Sequence, residues 1–99
     1  MGQLLYGSTP TVLEIDDRAL AHVELVVLAK LRRSESFAFT VESGTGRQTI
    51  WLSTASTLEF RLGTGRQEIN RSWLDQLIDT ANSTGGLRIV PEPTDAPAS

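Results

Sequence analysis

The sequence predicts a small α+β domain in which a mainly antiparallel sheet packs against two helices. Short runs in which apolar and polar residues alternate predict strands that are half buried. Two longer segments repeat apolar residues at helical spacing and predict amphipathic helices. The predicted order is ββαβββαβ, a two-layer sandwich with both helices on one face of the sheet. Whether all six strands join one sheet stays open.

Length and composition predict a single domain with a modest core. The chain has 99 residues, no cysteine and a formal net charge of −3. The lack of cysteine excludes disulfides, thiolate catalysis and zinc bound by cysteine. The acidic balance argues against a generally basic nucleic-acid binder. We expect one domain over residues 1–90 and a disordered, proline-rich tail over 91–99.

The first half of the chain predicts a hairpin followed by a helix. Short apolar runs at Gln3–Tyr6 and Thr11–Ile15 flank a turn that contains glycine and proline. Asp16 stands where a helix N-cap belongs, and the segment Asp17–Arg33 contains neither glycine nor proline. Its last turn carries several cations, which suit the negative end of a helix.

The second half predicts three strands, a helix and a last strand. Tight turns between the three strands predict an antiparallel meander. Asn70 is the expected cap of the second helix, and Trp73 lies on its apolar stripe and should be in the core. These elements are predicted at Ser36–Glu42, Thr49–Ser53, Leu58–Gly63, Arg71–Asn82 and Leu87–Val90.

The first helix is apolar over an unusually wide arc, with Val26 almost opposite its main stripe. Such a helix is buried on more than one side, either by its own fold, which we favour, or by another subunit. Glu24 falls within this arc, where an ionised carboxylate needs a partner. We expect an ion pair with Arg61 or Arg88; a catalytic acid or base and an exposed edge position remain open.

Motifs for catalysis, metals and cofactors are absent from the sequence. His22 is the only histidine, no GxSxG elbow is present, and no spacing matches a metal site. We expect His22 to be exposed on the polar side of the first helix. The protein is therefore predicted to be no enzyme and to hold neither a metal nor a cofactor.

The pentapeptide Gly-Thr-Gly-Arg-Gln occurs twice, at Gly44–Gln48 and at Gly63–Gln67. Glycine pairs can cradle an anion with backbone amides, yet neither copy fits a phosphate-binding motif. Glycine at turn positions that require a positive φ explains both copies without a ligand, and we favour that interpretation.

The candidate interaction surface is centred on Trp51. If Ile50 and Leu52 face the helices, Trp51 lies on the opposite face, where it can stack on a base or anchor a protein partner. It can also pack across strands against Ala38 or Arg61. The cations that cluster at the end of the first helix suggest a local phosphate patch, but we favour the interpretation of a capped helix end and solvated turns. The surface comprises Trp51, Lys30, Arg32, Arg33 and Arg61.

Several blocks together resemble one family of small bacterial proteins of unknown function, whose members often carry the label "ATP-dependent DNA ligase". These blocks lie at 2–7, 14–22, 30–37, 50–52, 70–74 and 81–87. The resemblance covers nearly the whole chain and implies no mechanism or site residues. Such ligases form a lysyl-adenylate at a K-x-D-G motif, but Lys30, the only lysine, is followed by Leu31-Arg32-Arg33. A free-standing ligase is excluded.

These observations favour a non-enzymatic interaction module. Self-association as a homodimer, through the first helix or the open sheet face, would satisfy both the wide apolar arc and Trp51. The alternative is a nucleic-acid-binding accessory domain that uses Trp51 and the basic residues. The sequence has neither a secretory signal nor a long apolar segment, so we expect a cytoplasmic protein without a membrane partner.

Overall fold

The fold is described from a computed structural model, which describes residues 2–44, 46–63, 65 and 67–94. Within these residues the order is ββαβββαβ, as predicted, so the domain is α+β. The elements are β1 (Gly2–Tyr6), β2 (Thr11–Ile15), α1 (Asp17–Arg32), β3 (Phe37–Ser43), β4 (Gly46–Leu52), β5 (Leu58–Arg61), α2 (Arg71–Ala81) and β6 (Leu87–Arg88).

The strands form two three-stranded sheets, in the orders β2-β1-β5 and β4-β3-β6. The predicted meander is therefore wrong at its third strand, because β5 pairs with β1 instead of β4. The register aligns Leu4 with Phe60 and Tyr6 with Leu58, so apolar side chains meet across β1 and β5 on one face. This long-range complementarity outweighs the short connection from β4.

The second sheet contains a long antiparallel hairpin, β3–β4, and a short parallel strand, β6. Phe39 on β3 is fully buried, and Leu87 on β6 pairs with it in register. Because parallel strands need a crossover, α2 provides the return connection that places β6 beside β3. The sequence pattern had not indicated this parallel pairing.

Both predicted helix caps are confirmed. The Asp16 carboxylate accepts hydrogen bonds from the backbone amides of Arg18 and Ala19, and the Asn70 amide oxygen accepts one from the amide of Trp73. Trp73 is buried as expected. The caps begin α1 and α2 at positions that let the two helices pack against each other as well as against the sheets.

Packing between the helices explains the wide apolar arc of α1. Val26, almost opposite the main stripe, is only 1% exposed, and it lies one turn beyond His22, whose ring contacts Trp73 of α2. Burial by the domain's own core thus accounts for most of the arc. Leu25 and Leu28 remain exposed between the buried positions.

The domain's contacts extend past the predicted boundary at residue 90. The indole nitrogen of Trp73 donates to the carbonyl of Val90, and Asn70 donates to Glu92 and to the carbonyl of Pro93. Residues 95–99 of the predicted disordered tail lie outside the described residues, so their disorder stays a prediction.

Candidate interaction surface around Trp51

Trp51 is the most exposed of the large apolar side chains in the described part of the chain, at 59%. Strand parity places it as predicted: Ile50 and Leu52 point into the core, whereas Trp51 and Thr49 lie on the outer face. Ala38 stands directly opposite Trp51 on β3 and is too small to cover an indole. The ring is therefore held on a rigid strand and largely open to solvent.

The strand that carries Trp51 is an edge strand, since β4 is hydrogen-bonded to β3 alone among the described strands. In the β3–β4 hairpin, Ser43 pairs with Gly46, and two residues separate them. The residues on either side of a two-residue connection form a hydrogen-bonded pair. Hydrogen-bonded and non-hydrogen-bonded pairs alternate along an antiparallel ladder, so Arg47, Thr49 and Trp51 belong to non-hydrogen-bonded pairs. The backbone groups of Arg47, Thr49 and Trp51 consequently point away from β3.

One hydrogen bond from the other sheet agrees with this assignment. The hydroxyl of Tyr6, at the end of β1, donates to the carbonyl of Trp51 over 2.8 Å. A carbonyl directed at β3 would not be available to Tyr6. The contact also links the two sheets and fixes the backbone position from which the Trp51 side chain projects.

Open grooves lie on both sides of the indole. One, of about 350 Å³, runs from Trp51 past Lys30 and Phe37 to Asn82 and Ser83. The other, of about 400 Å³, has Tyr6, Gly7 and the loop after β4 along its walls. Trp51 forms part of the wall of both, so a partner that contacts the indole can also enter a concave surface.

Lys30 is the one predicted basic residue that shares a groove with Trp51. Its ammonium donates to the amide oxygen of Asn82 at 2.7 Å and forms an ion pair with Glu35 at 2.8 Å. It also lies 5.8 Å from the ring centre of Phe37, and its side chain is only 13% exposed. The charge of Lys30 is thus engaged within the fold, and its pairing lowers the pKa of Glu35.

The other predicted basic residues do not join this surface as a cluster. Arg33 extends into solvent and forms a loose ion pair with Glu35 at 3.6 Å, while Arg32 is exposed at the end of α1. Arg61 lies on β5 in the other sheet and pairs with Glu59. The structure therefore brings Lys30 beside Trp51, leaves Arg32 and Arg33 at the helix end, and separates Arg61 from them.

The prediction that His22 is exposed is wrong. Its side chain is fully buried, and its ring packs against Trp73 with centroids 4.6 Å apart. Nε2 accepts a hydrogen bond from the backbone amide of Asn70 at 2.9 Å, and Nδ1 lies 2.7 Å from the carbonyl of Arg18. These partners require a neutral ring protonated at Nδ1. The helical pattern placed His22 on the polar side because it cannot show that α2 covers that side.

A polar cluster beside His22 was not anticipated from the sequence. Arg18 donates two hydrogen bonds to the carboxylate of Glu92, at 2.8 and 2.7 Å, and a third to the carbonyl of Glu68. Asn70 donates to the same carboxylate. Donation by Arg18, followed by that of Asn70, lowers the pKa of Glu92 from 4.5 to about 2. The cluster joins the start of α1, the cap of α2 and the segment after β6.

Glu24 does not form the expected ion pair. It is half buried on α1, and within the described residues no cation pairs with it; Arg61 instead contacts Glu59. Of the positions left open for Glu24, the edge of the apolar arc fits this placement. The part of the chain that the structure describes holds no group of three or more acidic or histidine side chains arranged for a metal ion.

The repeated pentapeptide lies at the ends of strands: Gly44 precedes β4, which begins at Gly46, and Gly63 and Gly65 follow β5. The second glycine of each copy has a positive φ, +144° at Gly46 and +103° at Gly65. Thr45, Thr64 and Arg66 fall outside the described residues, so anion binding by either copy stays untested.

Comparison with known proteins identifies the family of this chain but no function. No helix in the described ranges is long and apolar enough to cross a membrane. No curated protein and no solved structure matches the chain. Residues 1–92 match the family described as Domain of unknown function (DUF7882). With nearly its whole length matched, the chain belongs to that family of domains of unknown function.

Proposed function

We propose that this domain is a non-enzymatic protein-interaction module whose contact surface is centred on Trp51. The observation that carries the proposal is a 59% exposed indole on the open edge of β4, between two grooves. Tryptophan buries more apolar area than most side chains and is enriched among the residues that dominate binding energy. Because the strand is part of a sheet, little backbone entropy is lost when a partner covers the ring.

The most reactive side chains are occupied by structural bonds. His22 uses both ring nitrogens to connect α1 with the cap of α2, and it has no exposure to a substrate. Glu24, the other candidate for acid–base chemistry, is half buried, and among the described residues no cation pairs with it. These placements support a binding role and give no support to catalysis.

The alternative, a nucleic-acid-binding accessory domain, has weaker support. Phosphate contacts need cations that are free to replace counterions. Glu35 pairs with both Lys30 and Arg33, which leaves Arg32 as the least engaged cation at the end of α1. The net charge of −3 adds a repulsive field for any polyanion.

A photo-crosslinking side chain at position 51 tests the proposal directly. Benzoylphenylalanine replaces Trp51 in one variant and Gln76, an exposed residue on α2, in a matched control. Irradiation of cells that produce each variant should give discrete protein adducts at position 51 and none at position 76. Equal adducts, or none at either position, would contradict the proposed surface.

A DNA-binding measurement on the wild-type domain tests the alternative function. Fluorescence anisotropy with labelled single-stranded, duplex and nicked DNA should detect no binding by the wild-type domain even at low salt. Binding that weakens steeply as salt rises, and that is lost on Arg32→Glu with Arg33→Glu, would favour the nucleic-acid function instead.

A further inference from the structure

We propose that the partner of the Trp51 surface is a second copy of this chain, joined by antiparallel pairing of two β4 strands about a two-fold axis at Thr49. This inference rests on the proposed function and specifies its partner. Pairing would join the two β4-β3-β6 sheets into one continuous six-stranded sheet. A two-fold axis also makes the contact close on itself, as in most homodimers.

The backbone supplies the first reason. The outward peptide groups of Arg47, Thr49 and Trp51 form a ladder of donors and acceptors along the open edge of β4, which no second strand pairs with among the described residues. In a pair centred on Thr49, its amide and carbonyl face those of the copy's Thr49. Arg47 then faces the copy's Trp51, and Trp51 faces the copy's Arg47. The Trp51 carbonyl, which already accepts from Tyr6, keeps a second lone pair for this bond.

Side-chain spacing supplies the second reason. Arg47, Thr49 and Trp51 share the outer face of β4, with Arg47 and Trp51 each two residues from Thr49. The two-fold pairing therefore places a guanidinium against an indole twice, once on each side of the axis. Arginine stacks on tryptophan by a cation–π contact that is stronger when the pair is desolvated. Only the antiparallel arrangement brings Arg47 opposite Trp51; an in-register parallel pair would place each residue beside its own copy.

Charge on the neighbouring strand is compatible with this contact. Glu42 stands opposite Arg47 in the β3–β4 register, and it would offset the arginine charge as the interface forms. Both side chains are exposed in the single chain. Stacking by Arg47 on the copy's Trp51 would thus not leave an isolated charge within the interface.

Free space beside the strand supplies the third reason. A groove of about 440 Å³ borders Arg47 and Gln48 on one side and Val12 and Glu14 of β2 on the other. Val12 is 46% exposed in this groove. The two-fold pairing brings the copy's Trp51 to the Arg47 end of β4, at the border of this groove. The Arg47 end of β4 thus has free space beside it for the copy's Trp51.

The position of the axis can be tested by charge complementation at Thr49. Thr49 is exposed, and in the proposed dimer it faces its own copy. Thr49→Lys alone and Thr49→Asp alone should each weaken dimerisation by at least about tenfold, because like charges would meet at the axis. An equimolar mixture of the two variants should dimerise again, since the heterodimer places lysine opposite aspartate.

Sedimentation velocity over a concentration series measures these states, and native mass spectrometry identifies the heterodimer in the mixture. Gln76→Lys and Gln76→Asp on α2 are the matched controls and should dimerise like the wild type, both separately and mixed. Circular dichroism melts of all variants establish that each one folds. A folded monomer that regains dimerisation only in the mixed sample cannot be explained by a local defect.

Three outcomes would overturn the inference. The wild-type chain could remain monomeric at the highest soluble concentration, the single Thr49 variants could still dimerise, or the mixture could fail to restore association. The crosslinking experiment separates this failure from that of the proposed function. Adducts at position 51 with other proteins, and none with the chain itself, would retain the Trp51 surface and exclude the second copy as its partner.

Discussion

The Nε2 atom of His22 lies 2.9 Å from the backbone nitrogen of Asn70 and accepts its hydrogen bond inside the core. Asn70 is also the N-cap of α2. One side chain of α1 therefore satisfies a buried donor at the start of the second helix, while the Asn70 side chain satisfies the amide of Trp73 three residues later. The packing of the two helices depends on this pair of bonds.

Replacement of His22 by leucine should lower the free energy of unfolding by about 1–3 kcal/mol, because the amide of Asn70 would remain buried without an acceptor. Urea unfolding followed by circular dichroism measures the change. Gln76→Leu, on the exposed side of α2, is the control and should change stability by less than about 0.5 kcal/mol. Equal stabilities of the two variants would argue against a structural role for the histidine bond.

Glu92 should make stability depend on pH in the acid range. Its pKa is lowered from 4.5 to about 2 in the folded protein, so folding favours the ionised carboxylate. The resulting stabilisation is fully present above pH 4.5 and is lost as the pH falls towards 2. The difference in unfolding free energy between wild type and Glu92→Gln should therefore shrink between these values. Asp75→Asn, which removes a carboxylate at an exposed position of α2, is the matched control.

Gly86 should tolerate no side chain. Its φ is +79°, and a Cβ atom there would lie 2.5 Å from the carbonyl oxygen of Ala38, on the strand that β6 pairs with. We expect Gly86→Ala to destabilise the domain by roughly 1–3 kcal/mol. Gly44→Ala is the matched control, since a Cβ at Gly44 would meet nothing within 4 Å. Thermal melts of the two variants should differ clearly; similar melting temperatures would contradict the close approach at Gly86.

The two tryptophans should respond differently to substitution and to quenchers. Trp73 is 5% exposed and Trp51 is 59% exposed. Trp73→Ala should cost roughly 3–5 kcal/mol, whereas Trp51→Ala in the monomer should cost less than about 1 kcal/mol. Iodide should strongly quench the fluorescence of Trp51, which is the part that Trp51→Phe removes. It should quench little of the Trp73 fluorescence that remains in this variant. Strong quenching of Trp73 would contradict its position in the core.

Local patterns accounted for the element order. Asp16 and Asn70 marked the starts of both helices because capping needs only a side-chain oxygen near the first amides, a local requirement. Alternation placed Ile50 and Leu52 inward and Trp51 outward, because neighbouring side chains of a strand point to opposite faces. The same reasoning located the exposed indole but could not tell that β4 is an edge strand.

The sequence by itself thus determined the α+β class, the element order, the caps and the outward position of Trp51, all of which depend on neighbours along the chain. Tertiary structure alone decided that β5 pairs with β1, that α2 buries His22, and that Glu92 reaches Arg18. Each of these joins residues far apart in the chain, and the partner is chosen by complementary shape and hydrogen bonding in three dimensions. The open edge of β4, on which the proposed interaction depends, belongs to this second group.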